Sequence, residues 1–184
     1  MRLFTGIDLP SRIKNRLDVL ITHLRTTAHV KWSATYNLHI TTKFIGDWPQ
    51  ERLPELISRL KMASTSAPVV IDIRGLGWFP NPHHPRVFWA GVHASPSLTE
   101  LAVSTEHICR ELGIAAEERP FSPHLTLARI KEPAPLEGLR RAVAELESVD
   151  FGTFTAECFN LYLSQPGPSG SIYTPLHEFR LPVK

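Results

Sequence analysis

Two short runs, Leu38-His39-Ile40-Thr41 and Pro123-His124-Leu125-Thr126, carry the same His-apolar-Thr step, and 85 positions separate their histidines. Both lie in segments that read as strands. Along a strand, residues i and i+2 share one face and i+1 takes the other. Ile40 and Leu125 therefore ask for an apolar back, while His39 with Thr41 and His124 with Thr126 ask for a polar front. The chain must supply covered strands and a space into which two polar faces look.

The rest of the pattern can do this. Arg2–Leu9 reads as a strand, and Pro10 stands near the start of a helix whose Ile13, Leu17, Leu20, Ile21 and Leu24 share a face. Val30–Trp32 is a short extended piece, and Leu38–Ile45 is a strand closed by Gly46-Asp47. A helix over about Glu51–Ala63 turns Leu53, Leu56, Ile57 and Leu60 inward, with Pro54 in its first turn, where a missing N–H costs little. Val69–Leu76 and Val87–Val92 pair as strands around the loop Pro80–Pro85. The spacing of Leu98, Leu101, Thr105, Ile108 and Leu112 predicts a helix over Ser97–Leu112, stopped by Gly113. A strand follows within Phe121–Ile130 and a helix within Leu136–Glu147. Two closing strands, Thr153–Leu163 and Ile172–Leu181, flank the loop Gln165–Ser171. The order is α+β, with no strict βαβ repeat and no glycine-rich phosphate loop.

A chain of 184 residues is expected to form a single domain, 1–184, large enough to bury a core without disulfides. Cys109 and Cys158, each alone in an apolar periodic segment, read as buried free thiols. No secretory pattern opens the chain and no apolar run approaches the roughly 20 residues of a membrane span, so a cytoplasmic protein with no membrane partner is expected. A monomer is the default expectation. The net charge of +2 and pI of 8.7 fit an anion held at one point and argue against a long nucleic-acid track.

Brought side by side, the two strands place two imidazoles and two hydroxyls in one cleft. That set suits attack on a phosphodiester without a metal. A neutral imidazole takes a proton from water, an imidazolium gives one to the departing oxygen, and the hydroxyls donate to phosphate oxygens. Histidine serves both roles because its ordinary pKa lies near neutrality. The bare step is weak evidence: nine histidines and fourteen threonines yield about 0.7 such steps by chance, so the flanking residues have to carry the argument.

They do. Val30-Lys31-Trp32 with Asn37-Leu38-His39-Ile40-Thr41-Thr42-Lys43-Phe44-Ile45-Gly46 resembles the first signature block of the two-histidine (2H) phosphoesterases, and Pro123-His124-Leu125-Thr126-Leu127-Ala128-Arg129 resembles the second. The opening Arg2–Pro10 and the closing Tyr173-Thr174-Pro175-Leu176 are similar to the RNA 2′,3′-cyclic phosphodiesterase branch, also known as 2′-5′ RNA ligases. The resemblance implies a bilobal α+β fold of two antiparallel sheets with outer helices and a central cleft. It implies hydrolysis of 2′,3′-cyclic phosphate RNA ends, or of small cyclic nucleotides, to 2′-phosphomonoesters, with weak 2′-5′ ligase activity in some relatives and no cofactor or metal. It makes His39 the proton donor, His124 the proton acceptor, Thr41 and Thr126 the phosphate donors and Arg129 a substrate residue. Thr42 departs from the family's usual aliphatic residue; alternation sends it behind the sheet.

Strict alternation creates three tensions. It puts Lys43 on the His39 face, where it either approaches substrate phosphate or stays solvated. Phe44 falls on the opposite face, although it would suit stacking on a base as well as it suits a core. Arg129 falls opposite His124, a conflict that a bulge near Ala128 would resolve. His83-His84, between prolines, lack partners at ligand spacing and read as a solvated loop. Trp32 supports the first motif or offers a stacking surface, as Tyr173 does more weakly. A noncatalytic RNA-end binder of the same fold is the alternative reading, and a metal-dependent hydrolase a third.

Overall fold

The strand-forming runs make two antiparallel sheets in a computed structural model that describes residues 1–131, 134–168 and 170–183. The first sheet runs β3 (His39–Asp47), β1 (Arg2–Asp8), β8 (Cys158–Gly167), β9 (Gly170–Arg180). The second runs β2 (Lys31–Trp32), β6 (His124–Arg129), β5 (Val87–Ala94), β4 (Val69–Phe79), β7 (Asp150–Ala156). Four helices complete the described residues: α1 (Ser11–Arg25), α2 (Leu53–Leu60), α3 (Pro96–Glu111) and α4 (Glu137–Ala144). The expected α+β architecture of two antiparallel sheets is present.

The apolar stripes go where their spacing sends them. Ile13, Leu17, Leu20, Ile21 and Leu24 of α1 are all buried, each such side chain contributing roughly 1.5–3 kcal/mol. Helix α2 buries Leu56 and Leu60, with Leu53 and Ile57 partly covered, and is shorter than expected because residues 50–52 form a separate 3₁₀ turn. Buried side chains from both sheets join one hydrophobic cluster. Helix α1 follows β1 of the first sheet, yet its Arg12 and Arg16 guanidiniums donate to the carbonyls of Thr153 and Phe151 on β7 of the second. The lobes are thus tied by polar as well as apolar contacts. No helix among the described residues is long and apolar enough to cross a membrane.

Two expectations need correction. The strand expected over Thr153–Leu163 is two strands, divided at Glu157, with β7 in the second sheet and β8 in the first. No glycine or proline marks the division, so the segment looks continuous. The apolar residues do slip phase there, from Phe154 and Ala156 to Phe159, Leu161 and Leu163, although β8 also buries Asn160 and Tyr162. The loop expected over Gln165–Ser171 is mostly strand, because β8 and β9 pair as a long hairpin down to Gly167 and Gly170; Ser169 lies outside the described residues. Cys109 is buried and free, its thiol pushed up to about 11 by desolvation, while Cys158 is free but only half-buried.

Candidate active site

Both His-x-Thr strands are built to the same local plan. On β3, His39 pairs with Asp8 and Thr41 with Gly6 of β1. On β6, His124 pairs with Gly91 and Thr126 with Trp89 of β5. The middle residues Ile40 and Leu125 are fully buried, so each histidine and threonine faces away from the core. All four of these side chains are half-buried, with β3 and β6 in contact across the lobes.

The backbone holds both imidazoles in the same way. His39 Nδ1 lies 2.7 Å from the carbonyl oxygen of Asn37, and His124 Nδ1 lies 2.8 Å from that of Ser122. A carbonyl only accepts, so each Nδ1 carries the proton and each Nε2 is left to exchange one. Aromatic rings fix the planes. Phe4 lies 4.6 Å from His39 between centroids, Tyr173 meets the same imidazole edge-on at 5.0 Å, and Phe79 meets His124 edge-on at 5.0 Å. Gly6 leaves the room this needs: a Cβ there would stand 2.9 Å from the Ile40 carbonyl oxygen and 3.4 Å from His39 Cδ2.

An extra residue follows each threonine. Thr41 pairs with Gly6 and Lys43 with Thr5, which leaves Thr42 without a partner. Thr126 pairs with Trp89 and Ala128 with Phe88, which leaves Leu127 unpaired. Each added residue reverses the alternation beyond it. Phe44 therefore comes to the His39 face, 61% exposed and 6.3 Å from Phe4 between centroids. Arg129 comes to the His124 face and is exposed.

The same shift corrects the expectation for Lys43. It does not share the His39 face and is not free for substrate phosphate; it is 6% exposed. Its ammonium lies 2.7 Å from Glu106 Oε2 and donates to the Ala115 carbonyl at 3.0 Å. Thr42 does pack behind the sheet, its hydroxyl 2.7 Å from that of the buried Thr5. Trp32 turns inward, donating from Nε1 to the Ala28 carbonyl and meeting Phe88 edge-on. His83 and His84 are exposed, their backbone N–H groups held by Asn81 Oδ1. No group of three potential metal-ligating side chains occurs among the described residues.

A cavity of about 500 Å³ opens beside His39, lined by Asp8, Asn37, Asn160, Tyr162 and Tyr173 among others. Burial holds the His39 pKa below its usual 6.5; the hydrogen bond to Asn37 and the Asp8 carboxylate oppose that, while Arg129 and Lys14 reinforce it. The Arg129 charge, carried on the other sheet, is therefore felt at His39. Phe4, Asp8, Phe79, Asn160 and Tyr162 were not singled out from sequence, because no motif marks them and only sheet pairing brings them to the histidines.

Comparison with known proteins accords with this geometry. The family profile described as LigT like Phosphoesterase matches residues 7–89 and 92–173. An RNA 2′,3′-cyclic phosphodiesterase of Archaeoglobus fulgidus is 35% identical over 179 residues, covering 97% of this chain and 99% of that protein. One of Methanocaldococcus jannaschii is 33% identical, covering 97% and 100%. The crystal structure of a Thermus thermophilus protein superposes with a TM-score of 0.82 at 33% identity, covering 98% of this chain and 97% of that one.

Proposed function

Because the chain belongs to the LigT-like phosphoesterases, we propose that it is an RNA 2′,3′-cyclic phosphodiesterase working by metal-free acid–base catalysis between His39 and His124. The observation that carries the mechanism is the matched anchoring of both imidazoles, which leaves Nε2 of each as the working nitrogen. Neutral His124 takes a proton from water as the water oxygen bonds to phosphorus. The bond from phosphorus to O3′ breaks, and protonated His39 delivers its proton to that oxygen. The products are a 2′-phosphomonoester and a 3′-hydroxyl. Thr41 and Thr126 donate to the non-bridging oxygens, where negative charge grows in the transition state. Arg129 adds a fixed cation, and Phe44 offers an exposed ring to a base. A single chain acting on RNA ends in the cytoplasm is the setting of this reading.

The test is turnover of an oligoribonucleotide ending in a 2′,3′-cyclic phosphate, with and without EDTA, followed by a 3′-specific phosphatase. A phosphatase-resistant 2′-phosphate is expected, at a rate that survives the chelator. Binding without turnover would favour a noncatalytic RNA-end module, and loss in EDTA restored by zinc or manganese would remove the metal-free mechanism.

Two further results are expected. Thr41→Val or Thr126→Val keeps the side-chain volume but removes the hydroxyl, and should lower kcat by roughly 10–10³-fold. A loss under threefold in both would take the threonines out of phosphate stabilisation. The pH profile of kcat/KM should be bell-shaped, because acid charges the base and alkali discharges the acid. One limb should fall below pH 6.5, since burial lowers the His39 pKa. Asp8→Asn removes a charge that raises that pKa, so it should move this limb further toward acid. A flat profile from about pH 5 to 9, with chemistry rate-limiting, would rule out the pairing.

A further inference from the structure

A second pocket lies along β6 from the catalytic residues, about 290 Å³ in volume and lined by His29, Val30, Lys31, Arg129, Ile130, Lys131 and Ala134. Three obligate cations and a histidine converge there, and no carboxylate lines it among the described residues. Elsewhere among the described residues Lys14 meets Asp8, Lys43 meets Glu106, and Arg59 meets Glu111. Lys31, Arg129 and Lys131 have no carboxylate within ion-pair distance among the described residues.

Register places these cations in line with the site. Lys31 of β2 sits directly across from Arg129 of β6, so their side chains share a face. The unpaired Leu127 has turned that face toward the His124 side. Lys131, two positions on, follows Arg129 and is exposed. The tip of the β8–β9 hairpin frames the far side: a Cβ on Gly170 would stand 3.8 Å from Lys31 Nζ. At about 3.3 Å per strand residue, Arg129 stands roughly 10 Å along β6 from Thr126. That is a step on the scale of one nucleotide or two.

Resting on the phosphodiesterase reading, we infer that this pocket is a second phosphate site, occupied by the phosphodiester that joins the terminal nucleotide of the RNA to its 5′ neighbour. Arg129 lies between the reacting phosphate and this one, while Lys31 and Lys131 serve the second alone. The substrate is then an oligoribonucleotide end rather than a cyclic mononucleotide. With a net charge of only +2, the cationic path is short, which suits one additional phosphate better than a long bound strand.

The experiment compares equilibrium binding of adenosine 2′-monophosphate with that of a triadenylate ending in a 2′-phosphate, for the wild type, Lys31→Gln, Lys131→Gln and the double variant. Both lysines are exposed, and unchanged circular dichroism confirms the fold. The triadenylate should bind the wild type at least about tenfold tighter at low salt. The double variant should lose that margin, holding the mononucleotide within about twofold. The salt slope for the triadenylate should become shallower by about 0.7 for each phosphate released from contact. Equal weakening of both ligands, or an unchanged slope, would overturn the second site. Turnover of a cyclic-phosphate end by the wild type is scored separately, so failure of the phosphodiesterase reading gives a different result from failure of this site.

Discussion

Replacing either histidine of the pair by alanine is expected to lower kcat at least about a hundredfold, about 2.7 kcal/mol of transition-state stabilisation. Both variants should remain folded, because neither imidazole is part of the fully buried core. His39→Ala does lose a ring packed against Phe4 and Tyr173, so part of its effect would come from disordered neighbours. His39→Asn separates the two causes: an amide can still reach the Asn37 carbonyl but has no proton to exchange at the Nε2 position. It should be as inactive as the alanine variant. The double variant should be little worse than the weaker single one, since an acid and a base that act in one step do not add. Near-normal turnover in either single variant would end the two-histidine mechanism.

Lys43→Met should act on stability rather than on substrate affinity. Removing one partner of a buried ion pair costs about 3–5 kcal/mol when the other is stranded without water. Glu106 keeps 26% of its side chain exposed, so about 2–4 kcal/mol is the expected loss. For a chain of this size that lowers Tm by roughly 4–16 °C. Calorimetry should show the drop while KM for a cyclic-phosphate RNA end stays within about twofold in the folded fraction. Glu106→Gln added to Lys43→Met should recover part of the loss, because the two side chains are in direct contact. The opposite pattern, a raised KM with unchanged Tm, would return Lys43 to the substrate.

Periodicity made the helices legible. The face of α1 was visible as five apolar residues at helical spacing, and all five are buried. The same simple rule misled wherever the chain departs from regular pairing by a single residue. Alternation alone misplaced Lys43 and Phe44, and Arg129 came to the His124 face only through the bulge expected near Ala128, because nothing in Thr42 or Leu127 announces an unpaired position. Neither is glycine, and both are as apolar or strand-prone as a regular residue would be. The crossing at Glu157 left a trace in the slipped phase of the apolar residues, though no turn chemistry drew attention to it. The aromatic rings around the histidines were invisible for another reason: Phe4, Phe79 and Tyr162 reach them only through strand pairing between distant segments.

The extra residue at position 42 gives the site an unusual sensitivity to chain length. Suppose an in-frame gain added a single codon directly after that of Thr42. Every residue with a proposed chemical role would survive, and an inventory of the site would find nothing missing. Regular pairing from the added residue onward would nevertheless carry the Lys43 ammonium out to the front of the sheet and leave Glu106 without its partner. The backbone beyond would have to refuse that register or accept a charge where Phe44 now stands. Substitutions in this stretch can be absorbed one side chain at a time, but one added residue exchanges the two faces of the strand at once.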